Sequence, residues 1–245
     1  MKAEIVMVLP LIFKARHCAG FTLVEMAIVM IIVMVLMGGM IATLSGQMDI
    51  RNQTQTEQTL ADIREAILGF AVTQGRLPCP AYATGEESRP SAVCDHYFDG
   101  YVPGITLGLT PTDSAGYVLD GWNQRIRYSV TSAGGNVFTT NITLAAPAQY
   151  LSVCSRATGI TGTGASATCT VATKLTDNAI AVIYSIGKNG GYGGTGTDEA
   201  ANLNGDAAFV SHNPAATAGN EYDDLVIWLS PYTLYSRMIA AGRLP

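Results

Sequence analysis

The chain has 245 residues, room for one large domain or two small ones, with 48% apolar and only 13% charged side chains. The charged share is about half the usual quarter, and a net charge of −5 offers no basic field to nucleic acid. With five cysteines, three histidines and no C-x-x-C pair, a zinc site is poorly supported.

The first apolar piece, "IVMVLPLIF" (Ile5–Phe13), is too short to span a bilayer. A basic cluster follows at Lys14, Arg16 and His17, and Cys18 stands beside it. From Met26 to Leu44 there are then nineteen residues without a charge. As a helix such a run covers about 30 Å, the thickness of a hydrocarbon core. The positive-inside rule puts the basic cluster in the cytoplasm and the long C-terminal part across the membrane. Glu25 sits at the head of this run, where a carboxylate costs a few kcal/mol on insertion scales. One reading is a glutamate that reaches out to the interface. The other is a charge kept for a partner.

The stretch "AGFTLVEMAIVMIIVMVL" resembles the prepilin signature of type IV pilins and type II secretion pseudopilins. The resemblance implies cleavage after Gly20 by a membrane prepilin peptidase, and N-methylation of the new terminus, Phe21. Glu25 becomes the fifth residue of the mature chain, and in that family it pairs with the terminal amine of a neighbouring subunit during assembly. The physics agrees, since a carboxylate in low dielectric is compensated by an ammonium, and a buried ion pair of this kind specifies register. The implied organisation is a leader over 1–20, a transmembrane and filament-core helix over 21–46, and a head over 47–245. The implied partners are the peptidase, other pilin or pseudopilin subunits, an assembly platform protein, an assembly ATPase and membrane lipid. The implied location is the inner membrane, with leader cytoplasmic and head periplasmic, and then the filament.

Beyond the span the helix is expected to continue to about Thr73. Leu60, Ile63, Ile67 and Phe70 recur at three- and four-residue steps, forming one helical face. Gly38 and Gly39 interrupt the apolar half, either permitting local unwinding or allowing close helix packing. Gly75, Pro78 and Pro80 end the helix. An irregular connector runs to Gly121. Strands are expected at Arg125–Val130, Asn136–Thr143, Gln149–Val153, Ala179–Ile186 and Asp224–Ser230, and a short helix at Tyr232–Gly242. The fold class is therefore α+β, a long N-terminal helix packed on an antiparallel sheet, with long disulfide-closed loops. Cys79 and Cys94 form one local pair and Cys154 and Cys169 another, each fifteen positions apart. Two local disulfides in an oxidising compartment are the reading preferred here, although four cysteines allow three connectivities.

A second stretch, "LDGWNQRIRYSV", is similar to a D-P-W-G segment of major pseudopilins, with Asp120, Trp122 and Tyr128 in place and Gly121 where the family has proline. "YSIGKNGGYGGTGTDE" is similar to their calcium-binding loop, with Asn189 at an aspartate position. The resemblance implies calcium as the one candidate cofactor. Asn189, Asp198, Asp206, Asp223 and Asp224 would be its oxygen donors, together with carbonyls of the Gly187–Gly194 turn; the rival is a solvated acidic loop. Lys188 lies in no phosphate-loop pattern, and there is no G-x-S-x-G. His96 and His212 read as loop residues rather than bases. The leading function is a structural, non-enzymatic filament subunit, with inserts that lean toward a minor or specialised one. The rivals are an adhesive or ligand-binding module presented by the filament, through Cys154–Cys169 and the loop near Gly190, and a membrane-tethered periplasmic enzyme.

Overall fold

The computed structural model describes residues 20–132, 137–144, 149–190, 196–217 and 219–244, without the side chains of 38–45 and 137. The chain divides into two compact units, Met1–Met48 and Asp49–Pro245. Helix α1 (Leu23–Gln74) contributes to both.

In the first unit the helix starts on a threonine. Thr22 Oγ1 accepts from the backbone N–H of Glu25 at 3.2 Å, half of a T-x-x-E capping box. Every described side chain from Gly20 to Met37 is exposed, on all sides of the helix. Among the described residues no helix is long and apolar enough to cross a membrane. In the span expected over 26–44 the backbone is helical throughout, Gly38 and Gly39 included, while Cys18 and the basic cluster lie outside the described residues.

In the second unit α1 buries Leu60, Ile63, Ile67, Leu68 and Ala71. The expected stripe is thus rotated at its end, because Phe70 is half-buried under the Arg76 guanidinium, 5.1 Å from its centroid. Gly75 ends the helix in the left-handed region (φ 70°), and its N–H donates to the Ala71 carbonyl at 2.8 Å.

The remaining elements follow in order: β1 (Gly100–Tyr101), α2 (Gly104–Leu107), β2 (Arg127–Val130), α3 (Val137–Thr140), β3 (Leu151–Cys154), β4 (Ile160–Thr161), β5 (Thr168–Cys169), β6 (Lys174–Ala179), β7 (Ala181–Ser185), α4 (Thr197–Leu203), β8 (Ala208–Val210), β9 (Ala215–Thr217), β10 (Asn220–Tyr222), β11 (Leu225–Leu229) and α5 (Pro231–Ala240). An antiparallel sheet of order β1-β2-β7-β11 packs on α1. Its inward residues Tyr128, Val130, Ala181, Ile183 and Leu229 meet the α1 stripe, with Leu234 and Met238 of α5 closing the same core. The opposite face carries Val182 and Tyr184 against Leu151, Val153 and Phe209. Those belong to a second sheet, β6-β3-β8, in which β3 and β8 run parallel. Two short ribbons, β4-β5 and β9-β10, complete the unit.

One expected strand is not there. The described part of Asn136–Thr143 holds the helical turn α3. Its Phe138 carbonyl accepts from Leu77 N–H (2.7 Å), and Ile142 N–H donates to Gly75 (2.9 Å). The segment is tied to the end of α1 and drops Phe138 and Ile142 into the core. Burial, not strand pairing, explains its apolar pattern.

Both disulfides join local partners, Cys79–Cys94 with Cα atoms 5.3 Å apart and Cys154–Cys169 at 5.6 Å. Beside the first, Arg76 grips Glu87 through two hydrogen bonds, 2.8 and 2.6 Å. Cys79 N–H adds a third bond at 3.0 Å. Burial raises the Glu87 carboxyl, but Arg76 and the Cys79 N–H outweigh it and hold the group below its usual range.

Candidate functional site

The N-terminal candidates lie on an open helix start. A Cβ at Gly20 would touch nothing within 4 Å, and Phe21 is 75% exposed. Glu25 is exposed in the first turn of α1. Gly20, Phe21 and Glu25 are thus all exposed.

The acidic candidates fall into three places. The β7 strand ends at Ser185, and the chain turns back at Gly187, whose φ is 63°. A Cβ there would stand 2.2 Å from Asp223 Oδ1, so only glycine lets the turn close on that carboxylate. Lys188 N–H (3.0 Å) and Asn189 N–H (3.2 Å) both donate to Asp223 Oδ2. From the other side comes Glu199, in the first turn of α4. It accepts from Asn189 Nδ2 (3.0 and 3.2 Å) and from Asp223 N–H (3.1 Å). Asp224, at the head of β11, accepts from Asn202 Nδ2 at 2.7 Å.

One oxygen each from Glu199, Asp223 and Asp224 lies within 4.8 Å of the others. Glu199 is 1% and Asp224 3% exposed. Burial first, and then the neighbouring carboxylates, push Asp223 up to about 6 and Asp224 up to about 7, against the N–H groups and the Asn202 amide that oppose this. Asn189 Oδ1 and Asp223 Oδ1 are buried without a hydrogen-bond partner. Crowded carboxylates and two orphaned oxygens fit a hard cation such as calcium, which takes only oxygen ligands. Residues 191–195, part of the turn expected to add carbonyls, lie outside those described.

Asn189, Asp223 and Asp224 are therefore brought together, and Asp198 and Asp206 are not. Asp198 points to the opposite side of α4. Its oxygens accept from Ala157 N–H (2.6 Å) and Asn220 Nδ2 (3.0 Å), and His212 Nε2 lies at 3.2 Å. His212 stacks on Tyr222, centroids 3.9 Å apart. Asp198 lines a cleft of about 540 Å³ together with Ser155, Arg156, Thr158 and Thr197. Asp206 instead accepts from Gly164 N–H inside the second disulfide loop. Glu199 takes the place expected for them. The signal was α4 itself, since Glu199 and Asn202 are three residues apart on one helical face and Asp198 is on another.

Asp120 is a structural hub. Its carboxylate accepts from Trp122 N–H and Gln124 N–H, each at 2.8 Å, and from the Ser185 hydroxyl. Gly121 packs its backbone on α1, where a Cβ would lie 2.4 Å from the Asn52 carbonyl oxygen. Thr56 Oγ1 accepts from Gly121 N–H at 2.9 Å.

No curated protein and no solved structure matches the chain. Residues 15–41 match the family model described as the prokaryotic N-terminal methylation motif. That segment includes Gly20, Phe21, Glu25 and most of the exposed apolar helix, so the chain carries the prepilin-type signature of type IV pilins and pseudopilins.

Proposed function

We propose that the chain is a structural subunit of a type IV pilus or type II secretion pseudopilus, of the minor or specialised kind. The observation that carries this reading is the methylation motif over residues 15–41, set on the start of α1, where the described apolar side chains of 21–37 are exposed on every side. A helix apolar all round needs lipid or other helices around it. Residues 21–46 supply that need first as an inner-membrane anchor and then as filament core, with the head, 47–245, in the periplasm. Prepilin peptidase cuts between Gly20 and Phe21. Glu25 receives the methylated amine of a neighbour, and the platform protein and ATPase drive the addition of subunits. A head larger than a minimal pilin head and rich in inserts supports a specialised place in the filament.

Calcium belongs to the same reading. Glu199, Asp223 and Asp224, with Asn189 Oδ1, would hold it, neutralising a buried acidic crowd and fixing the 187–189 turn to the head of β11. A second reading, a ligand-binding module presented by the filament, is favoured by the polar cleft over Asp198 at the second disulfide loop.

The test is the mass of the mature chain. It should begin at N-methyl-Phe21. Loss of 1–20 removes Lys2, Lys14 and Arg16, leaving 14 − 3 = 11 basic residues, and Glu4, leaving 19 − 1 = 18 acidic ones. Side-chain charge becomes 11 − 18 = −7. An intact leader in assembled filaments overturns the reading.

A further inference from the structure

The strand β11 ends its sheet. It pairs with β7 on one side, and among the described residues the order β1-β2-β7-β11 leaves the other side without a strand. Exposed edges are ordinarily blunted by charge, proline or a bulge. At the edge of the second sheet β6 carries Lys174 and Asp177, paired at 2.6 Å. The β1 edge is two residues long and is bridged by Ala81. By contrast "LVIWL" has no such device, and four of its five residues are only half-buried.

A groove of about 450 Å³ touches Val226, Ile227 and Trp228. Successive strand residues point to opposite faces, so a cavity that meets all three lies along the edge. The other wall is α1, through Glu57, Ala61 and Arg64 at steps of four and three. Arg64 Nε is buried and has no hydrogen-bond partner. A guanidinium offers five donors in a planar fork suited to a carboxylate.

We propose that this edge is completed by an extended strand of a different filament subunit, seated between β11 and α1, with a carboxylate of that strand on Arg64. Resting on the filament reading, the inference names a partner for one face of the head. A free row of backbone N–H and C=O groups calls for another peptide backbone, and the Arg64 Nε–H, buried without an acceptor, calls for one on the incoming strand.

A second copy does not meet both needs. Parallel pairing puts the second α1 on the opposite face of the sheet, away from Arg64, and β11 has no carboxylate of its own.

The test uses the full chain in its own membranes, with p-benzoylphenylalanine in place of exposed Ala61, irradiation, and mass spectrometry of the adduct. The expected product joins this chain to another chain that bears the N-terminal methylation motif. Arg64→Glu should lower its yield at least tenfold, and Arg64→Lys should keep most of it. Alkylation of free thiols checks that both disulfides, and so the fold, survive each change. An adduct with a second copy, an adduct with a chain lacking the motif, a yield indifferent to Arg64→Glu, or no adduct from a processed and disulfide-bonded chain overturns the inference. The N-terminal mass, read in the same experiment, decides the filament reading separately.

Discussion

Glu25 donates its backbone N–H to Thr22 Oγ1, while its side chain is exposed. Glu25→Ala keeps that N–H and the cap, so the start of α1 should be unaffected. We expect normal cleavage at Gly20 and normal membrane insertion, with incorporation into sheared filaments reduced at least tenfold; normal incorporation would remove the role assigned to the carboxylate. Glu87 offers a second residue-scale test. Arg76 and the Cys79 N–H hold its folded pKa below the ordinary 4.5. A depressed carboxylate contributes stability above the unfolded pKa and loses it as pH falls through the folded one. The loss therefore lies in the acid range, below about pH 4.5. Glu87→Gln should destabilise a fragment beginning at Asp49 at pH 7 and flatten its loss of stability on acidification. Equal acid slopes for the two proteins would contradict this account.

At the scale of elements, the C-terminal half of α1 is held by its buried stripe. Ile67 is fully buried against the sheet, so Ile67→Ala should cost about 2–5 kcal/mol, read as an earlier urea midpoint. A cost below 0.5 kcal/mol would mean that the stripe is not the core. That stripe was legible from its three- and four-residue steps, and so were β2, β3, β7, β11 and α5, whose apolar runs are bounded by turn residues. The helix stop at Gly75 was legible from glycine followed by two prolines. Other parts were not. Lys174–Ala179 is a mostly exposed edge strand, and "KLTDNA" has no alternation to betray it. Ala208–Val210 is only three residues long. Asn136–Thr143 reads as a strand because β-branched residues on a buried turn and on a strand look alike over so short a run. The acidic site was half legible. Glycines marked the 187–189 turn, but the choice of Glu199 over Asp198 depends on the rotation of α4, set by Asn202 reaching both Asp224 and Val210.

For the whole molecule the sharpest test is calcium. Binding only the folded state stabilises by RT ln(1 + [L]/Kd), about 2.7 kcal/mol at a hundredfold excess over Kd. For a unit of this size that raises Tm by about 5–10 °C. Calcium should raise the melting temperature of the full chain at pH 8, chelator should reverse it, and Glu199→Gln should abolish the response. The rise should shrink on going to pH 5, because Asp223 and Asp224 take up protons near 6 and 7 and protons then compete with the metal. No response at pH 8 would leave the cluster as a buried acidic group held by Asn189 and Asn202. The two disulfides, each spanning fifteen positions, have a consequence for biogenesis. On the filament reading proposed above, a chain delivered N-terminal helix first presents Cys79 and Cys94 to the oxidising side about sixty residues before Cys154. At that moment the exported stretch of the head holds two thiols and one way to join them. Domains that emerge in order fold in order, so the three connectivities open to a complete chain are reduced to one by timing. Correct pairing then needs no later reshuffling, and an error in it would point to release of the chain before oxidation.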